Sequence, residues 1–166
     1  SAALTAIPTN HAHFQLPFKA LGVLRTGSAN YYRGASEGES EAEFVARRAQ
    51  ELETLILAEG PETIAAMIAE PVSGAGGVIV PPEGYFEAIQ AVLDRYGIWL
   101  WDDEVICGFG RLGTDFGANK MGMQPQMMTL AKALSSAYVP VSAAIVQGDI
   151  ADCINASATE VGVFGH

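Results

Sequence analysis

The stretch Trp99–Gly113, WLWDDEVICGFGRLG, decides the fold. An apolar run, Ile98 to Trp101, stops at three carboxylates, Asp102, Asp103 and Glu104. Gly108-Phe109-Gly110 and Arg111 follow. A short apolar run bounded by Gly97 and by those later glycines reads as a buried strand. An acid where such a strand ends is costly to bury without a cationic partner. In open α/β sheets, ligands bind at the carboxyl ends of strands. The acid cluster is therefore the expected seat of chemistry.

Two further apolar runs end on a charge. Thr63–Ala69 ends on Glu70-Pro71, and Met127–Ala131 ends on Lys132. Between the first run and Trp99 the spacing predicts a helix over Glu83–Tyr96. Pro81-Pro82 suit its entry, Tyr85, Ile89, Val92, Leu93 and Tyr96 form its buried stripe, and Gly97 ends it. Strand, crossover helix and strand imply two parallel strands, so Glu70 and Asp103 open into one crevice. Another helix is expected over residues 40–59. Ser40 and Glu43 form its capping box, Phe44, Ala49, Leu52, Leu55 and Ile56 its apolar stripe, and Gly60-Pro61 its stop. Its Glu/Arg side reads as a solvated face. Ala143–Val146 reads as a strand, Gly148–Ile154 as a short helix, and Leu21–Leu24 as a possible strand. The expected class is α/β, a mostly parallel sheet with helices on both faces.

Composition narrows the field. The 166 residues suit one domain or part of one, and 49% are hydrophobic, ample for a core. Nine Lys+Arg against 19 Asp+Glu give a formal charge of −10, which argues against nucleic-acid binding through a basic patch. Cys107 and Cys153 suit a reduced, cytoplasmic protein rather than a disulfide scaffold. No apolar run is long enough to span a membrane. The missing initiator Met and the uncapped end at Val163-Phe164-Gly165-His166 suggest a piece of a longer chain. His11-Ala12-His13 could share a strand face, but without a third ligand nearby they read as loop histidines, and no metal is expected. Tyr31-Tyr32-Arg33 reads as aromatic packing with a surface Arg.

A lysine ending a buried strand has two possible roles. It can pair with Asp103 or Glu70, or extend its amine to water. Alternatively, its amine forms a Schiff base with a carbonyl, helped by burial that lowers its pKa. A carboxylate in the same pocket can keep a pyridinium nitrogen protonated, which makes the ring of pyridoxal phosphate an electron sink. Spacing alone leaves both roles open.

DEVICGFGRLG at 103–113, followed by TLAKALSSAYVP at 129–140 and preceded by AAMIAEPVSGAGGVIVPPEGYF at 65–86, closely resembles the signature of class III pyridoxal-phosphate-dependent aminotransferases. The resemblance runs from about Asn30 to the C-terminus, with its motifs in the family's order. It implies part of the large domain of the fold type I transferase fold across residues 1–166, lacking an N-terminal segment and a C-terminal small domain. It also implies pyridoxal 5′-phosphate as cofactor and a homodimer with its sites at the subunit interface. Lys132 resembles the Schiff-base lysine, which also moves the substrate proton. Asp103 resembles the pyridinium partner, and Val105 the aliphatic residue packed under the ring. Val105 is expected on the same side as Asp103 if the chain stays extended. Glu70 matches the glutamate before Pro-Val, near the cofactor's phenolic oxygen. Asp102 and Glu104 are read only as neighbours, with Glu104 facing away from Asp103.

Gln126 stands where the family usually has Asp, and Leu112 where Thr is commoner, which puts local packing in question. Members acting on ornithine, acetylornithine or 4-aminobutyrate typically carry an acid where Ala75 follows Gly74. Its loss, with LSSAYVP after Lys132, resembles the amine–pyruvate or β-alanine–pyruvate branch. The expected reaction passes an amino group from an amine or ω-amino acid to pyruvate or a similar oxo acid. The alternative is a truncated, catalytically incompetent relative. Gly108, Gly110 and Gly113 also fit a dinucleotide-binding glycine pattern, but no convincing helix follows them.

Overall fold

The computed structural model describes residues 22–157. His11, His13, Leu21 and the terminal Val163–His166 lie outside the described residues, and Gly22–Leu24 form no strand. In chain order the elements are α1 (Tyr31–Gly34), α2 (Glu41–Glu59), β1 (Ala66–Ala69), α3 (Tyr85–Arg95), β2 (Trp99–Asp103), α4 (Gly117–Met121), β3 (Met127–Leu130), β4 (Ala143–Val146) and α5 (Gly148–Ala156). Single 3-10 turns cover Pro61–Thr63 and Lys132–Leu134.

The expected capping box starts α2. Ser40 Oγ accepts the Glu43 N–H at 3.3 Å, and the Glu43 carboxylate accepts the Ser40 N–H at 2.9 Å. Gly60 ends the helix with φ 92°, a left-handed value that suits glycine. The Arg side of α2 is more than a solvated face. Arg47 bonds Glu39 at 2.7 Å, Glu51 at 2.8 Å and the Gly34 carbonyl at 2.8 Å. These bonds fasten the segment from α1 to Ser40 onto α2. Tyr31 packs edge-on against Phe44, with ring centroids 5.4 Å apart, while Tyr32 is exposed.

The sheet order is β1-β2-β3-β4. β1 pairs β2 and β2 pairs β3 in parallel, and β4 returns antiparallel to β3. Only a 3-10 turn lies between β3 and β4, with no helix to carry the chain back for a parallel entry. Phe44 is fully buried, and the core proper joins Leu52 and Ile56 of α2 to Ile89 and Leu93 of α3, with Ile98 and Leu100. Burying each such side chain stabilises by about 1.5–3 kcal/mol. Met67 and Ala69 of β1 pack against this same core. The two-residue period places Ile68, Trp99 and Trp101 on the other face, where Trp99 is 41% exposed. Among the described residues, no helix is long and apolar enough to cross a membrane.

Candidate active site

Register brings the three strand-end charges together. Ala69 pairs with Asp102, so Glu70 stands level with Asp103, and Asp103 pairs with Thr129. Lys132 follows three residues later, just past the end of β3. Glu70, Asp103 and Lys132 therefore line the carboxyl edge of three adjacent strands, where α/β sheets present ligands. Asp103 is 2% exposed, and its Oδ1 accepts the Val105 N–H at 3.2 Å and the Thr129 hydroxyl at 3.4 Å. Lys132 is exposed rather than buried as expected. Its φ is 44°, a left-handed value that is strained for a side-chain-bearing residue and held by the tight turn after β3.

Val105 departs from the extended geometry expected of it. β2 ends at Asp103, and the chain turns at Val105, so strand alternation no longer sets the direction of this half-buried side chain. The turn follows from the glycines: Gly108 donates its N–H to the Glu104 carbonyl at 3.0 Å, closing a helical turn.

The Glu70 loop is drawn against the Asp103 loop. The Glu70 carboxylate accepts the Gly74 N–H at 2.9 Å, and Ser73 and Ile79 pair across the glycine-rich turn. The Cys107 thiol donates to the Val72 carbonyl at 3.3 Å, and burial pushes that thiol up to about 11. A Cβ on Gly74 would come within 2.6 Å of Ile106, and one on Gly117 within 2.7 Å of Pro71 and 3.0 Å of Cys107. These contacts fix Glu70 relative to Asp103.

Sequence reading missed three contributors. Thr129 is the lone hydroxyl in an apolar strand, and that contrast was its available signal. Asp102 and Glu104 are 0% and 1% exposed, so they are part of the interior rather than bystanders. Glu104 Oε1 accepts the Ala118 N–H at 2.7 Å. Burial, and next the adjacent Glu104 carboxyl, push Asp102 up to about 9. The departures prove local. Gln126 Oε1 accepts the Leu100 N–H at 2.8 Å and its own N–H returns to the Leu100 carbonyl at 3.0 Å, which sets the start of β3 on β2. Leu112 is half-buried in the loop before α4. Phe109 and Gly110 donate to the Asp115 carbonyl in turns rather than opening a helix, so the dinucleotide-binding pattern lacks its structural context.

The donor set fits pyridoxal phosphate. Asp103 is an acid held at a strand end by a hydroxyl and an amide, suited to a pyridinium N–H. Lys132 offers an accessible primary amine on the neighbouring strand end.

Comparison with known proteins bears on the family and the fold. The family model described as "Aminotransferase class-III" matches residues 7–164. Relatives include a probable γ-aminobutyrate transaminase 2, mitochondrial, from Oryza sativa subsp. indica, 52% identical over the whole chain and covered to 33% of its own length. Another is γ-aminobutyrate transaminase 1, mitochondrial, from Solanum lycopersicum, 53% identical over the whole chain and covered to 32%. Among solved structures, the ω-transaminase from Pseudomonas jessenii in complex with PMP matches with TM-score 0.93 and 50% identity over 100% of this chain and 36% of that one. A transaminase with L-Ala matches with TM-score 0.92 and 49% identity over 100% of this chain and 39% of that one. The chain thus spans about a third of the length of the curated relatives it matches.

Proposed function

Because the chain belongs to the class III aminotransferase family, we propose that it furnishes the cofactor-binding edge of a pyridoxal-phosphate-dependent transaminase. The amino group would come from an amine or ω-amino acid and pass to pyruvate or a similar oxo acid. The observation that carries this is the placement of Glu70, Asp103 and Lys132 on three successive strand ends. When bound, pyridoxal phosphate supplies an electron sink for negative charge developing on the substrate carbon.

The chain's own residues divide the remaining work. Asp103 would hold the proton on the ring nitrogen, with Thr129 and the Val105 amide fixing its carboxylate. Lys132 Nζ would attach the cofactor and move the proton at the substrate carbon. Val105 would pack beneath the ring, and Glu70 would stand by its phenolic oxygen. The relatives' names include γ-aminobutyrate transaminases, which supports keeping that ω-amino acid among the proposed donors. Two free thiols, one of them exposed, support a reducing compartment, which we propose is the cytoplasm. A homodimer, as the resemblance implies, completes the reading.

The test is borohydride reduction of the full-length protein after incubation with pyridoxal phosphate, followed by peptide mass mapping. A phosphopyridoxyl adduct on Lys132, lost in Lys132→Ala, is the expected result. Adducts scattered over other lysines, or none, would sink the assignment.

A further inference from the structure

Asp102 and Glu104 lie on the face of β2 opposite Asp103, both fully buried. Together they present four carboxyl oxygens to the interior. Of these, Glu104 Oε1 takes the Ala118 N–H, while both oxygens of Asp102 and Oε2 of Glu104 meet no donor among the described residues. The two side chains stand two residues apart on the same side of the chain, and after burial itself the Glu104 carboxyl is the main influence on Asp102. Two ionised carboxylates cannot bond one another, and burying two negative charges against a single amide would be strongly unfavourable. One proton resolves the conflict: it gives the pair a donor and leaves it a single negative charge facing the start of α4.

We propose that Asp102 and Glu104 are positioning residues that share one proton, forming a hydrogen-bonded acid pair that pins the β2–α4 loop and so sets Asp103 and Val105 at the site. Glu104 is the joint of this arrangement. Its N–H bonds Thr129 O at 3.0 Å, its carbonyl takes the Gly108 N–H at 3.0 Å, and its side chain takes the Ala118 N–H. Asp103 lies between the two partners in the chain, so the direction of its carboxyl follows from how they are held. The upward displacement of Asp102 agrees with a retained proton. The titratable neighbours are Asp103 on β2 and Cys107 in the loop, and Cys107 in turn feels Glu70. α4 contributes its amide, and β3 presents Met128 opposite Asp102.

The test uses the full-length protein with and without pyridoxal phosphate. The wild type should show the infrared carbonyl band of a protonated, buried carboxylic acid at neutral pH, and Asp102→Asn should lose it. The folded chain keeps a proton that the unfolded chain releases near pH 4, so that group's contribution to stability falls as pH rises to about 9 and then levels. The stability of Asp102→Asn relative to wild type should therefore increase steadily across this window. Asp102→Ala, which leaves Glu104 Oε2 without a donor while Oε1 keeps the Ala118 N–H, should weaken pyridoxal phosphate binding about tenfold, and Asn, which can donate, should restore it. Absence of the infrared band, or a stability difference flat with pH, overturns the shared proton. Unchanged cofactor affinity in Asp102→Ala overturns the positioning role. The cofactor arm rests on the aminotransferase reading. A wild type that binds no cofactor would sink that reading and not the acid pair, which the other two measurements judge alone.

Discussion

Gly117 sits where Pro71 and Cys107 leave room for a hydrogen and nothing more. A methyl group there would press on the Pro71 ring carbons at 2.7 and 2.8 Å, and neither neighbour can swing away. Its backbone φ is not among the positive ones, so a substitution costs only the clash. Gly117→Ala is expected to destabilise by about 1–3 kcal/mol in urea unfolding. It should also loosen Glu70 from Asp103, because Pro71 and Cys107 belong to the two loops that carry them. At this scale the sequence was informative wherever a charge interrupted an apolar run, as at Glu70, Asp103 and Lys132. It was silent where a side chain's role depended on a distant amide. Strand alternation alone turns Glu104 away from Asp103, but nothing local says that Ala118 would fold over to meet it. Nor could the sequence show that the chain would leave the strand at Val105.

Among the elements, α2 depends most on its ends. Replacing Ser40 with Ala removes the acceptor for the Glu43 N–H, and about 1 kcal/mol of stability should go with it in a denaturant titration. The segment ahead of the cap is tied down separately by Glu39 and Arg47. The Arg47 guanidinium, with the Ser36 amide, holds the Glu39 carboxyl down at about 2. The sign follows: this tie is intact above about pH 4, where an unfolded carboxyl would ionise, and is lost as pH falls through about 2. Glu39→Gln should flatten stability over that acid window. The helices α2 and α3 and all four strands were legible because periodic apolar residues, caps and glycine stops agreed. α4 was not, since GANKM has too few turns to show a stripe. The sense of β4 was equally hidden, for direction depends on how the chain returns and not on the strand's own residues.

Across the whole molecule, the two long helices cover one face of the sheet, and Trp99 and Trp101 occupy the other. Parallel sheets are ordinarily covered on both faces, and the curated relatives are about three times as long as this chain. Acrylamide should therefore quench Trp99 in the isolated 166-residue chain, with Trp99→Phe removing most of the quenchable signal. The longer polypeptide should protect it. Equal quenching in both would show that nothing covers this face. Deleting Asp102 and deleting Asp103 produce the same polypeptide, so a gene edited at either codon yields one phenotype. Its outcome follows from the anchors upstream. Leu100, bonded at both ends of its peptide to Gln126, keeps Trp99–Trp101 in phase, and everything after them moves up by one place. The remaining aspartate would take the inward position. The former Glu104 would arrive in the crevice, one methylene longer than the acid it replaced, and Ala118 would lose its acceptor. An apparently redundant pair of codons thus decides which acid faces the crevice and which faces the interior.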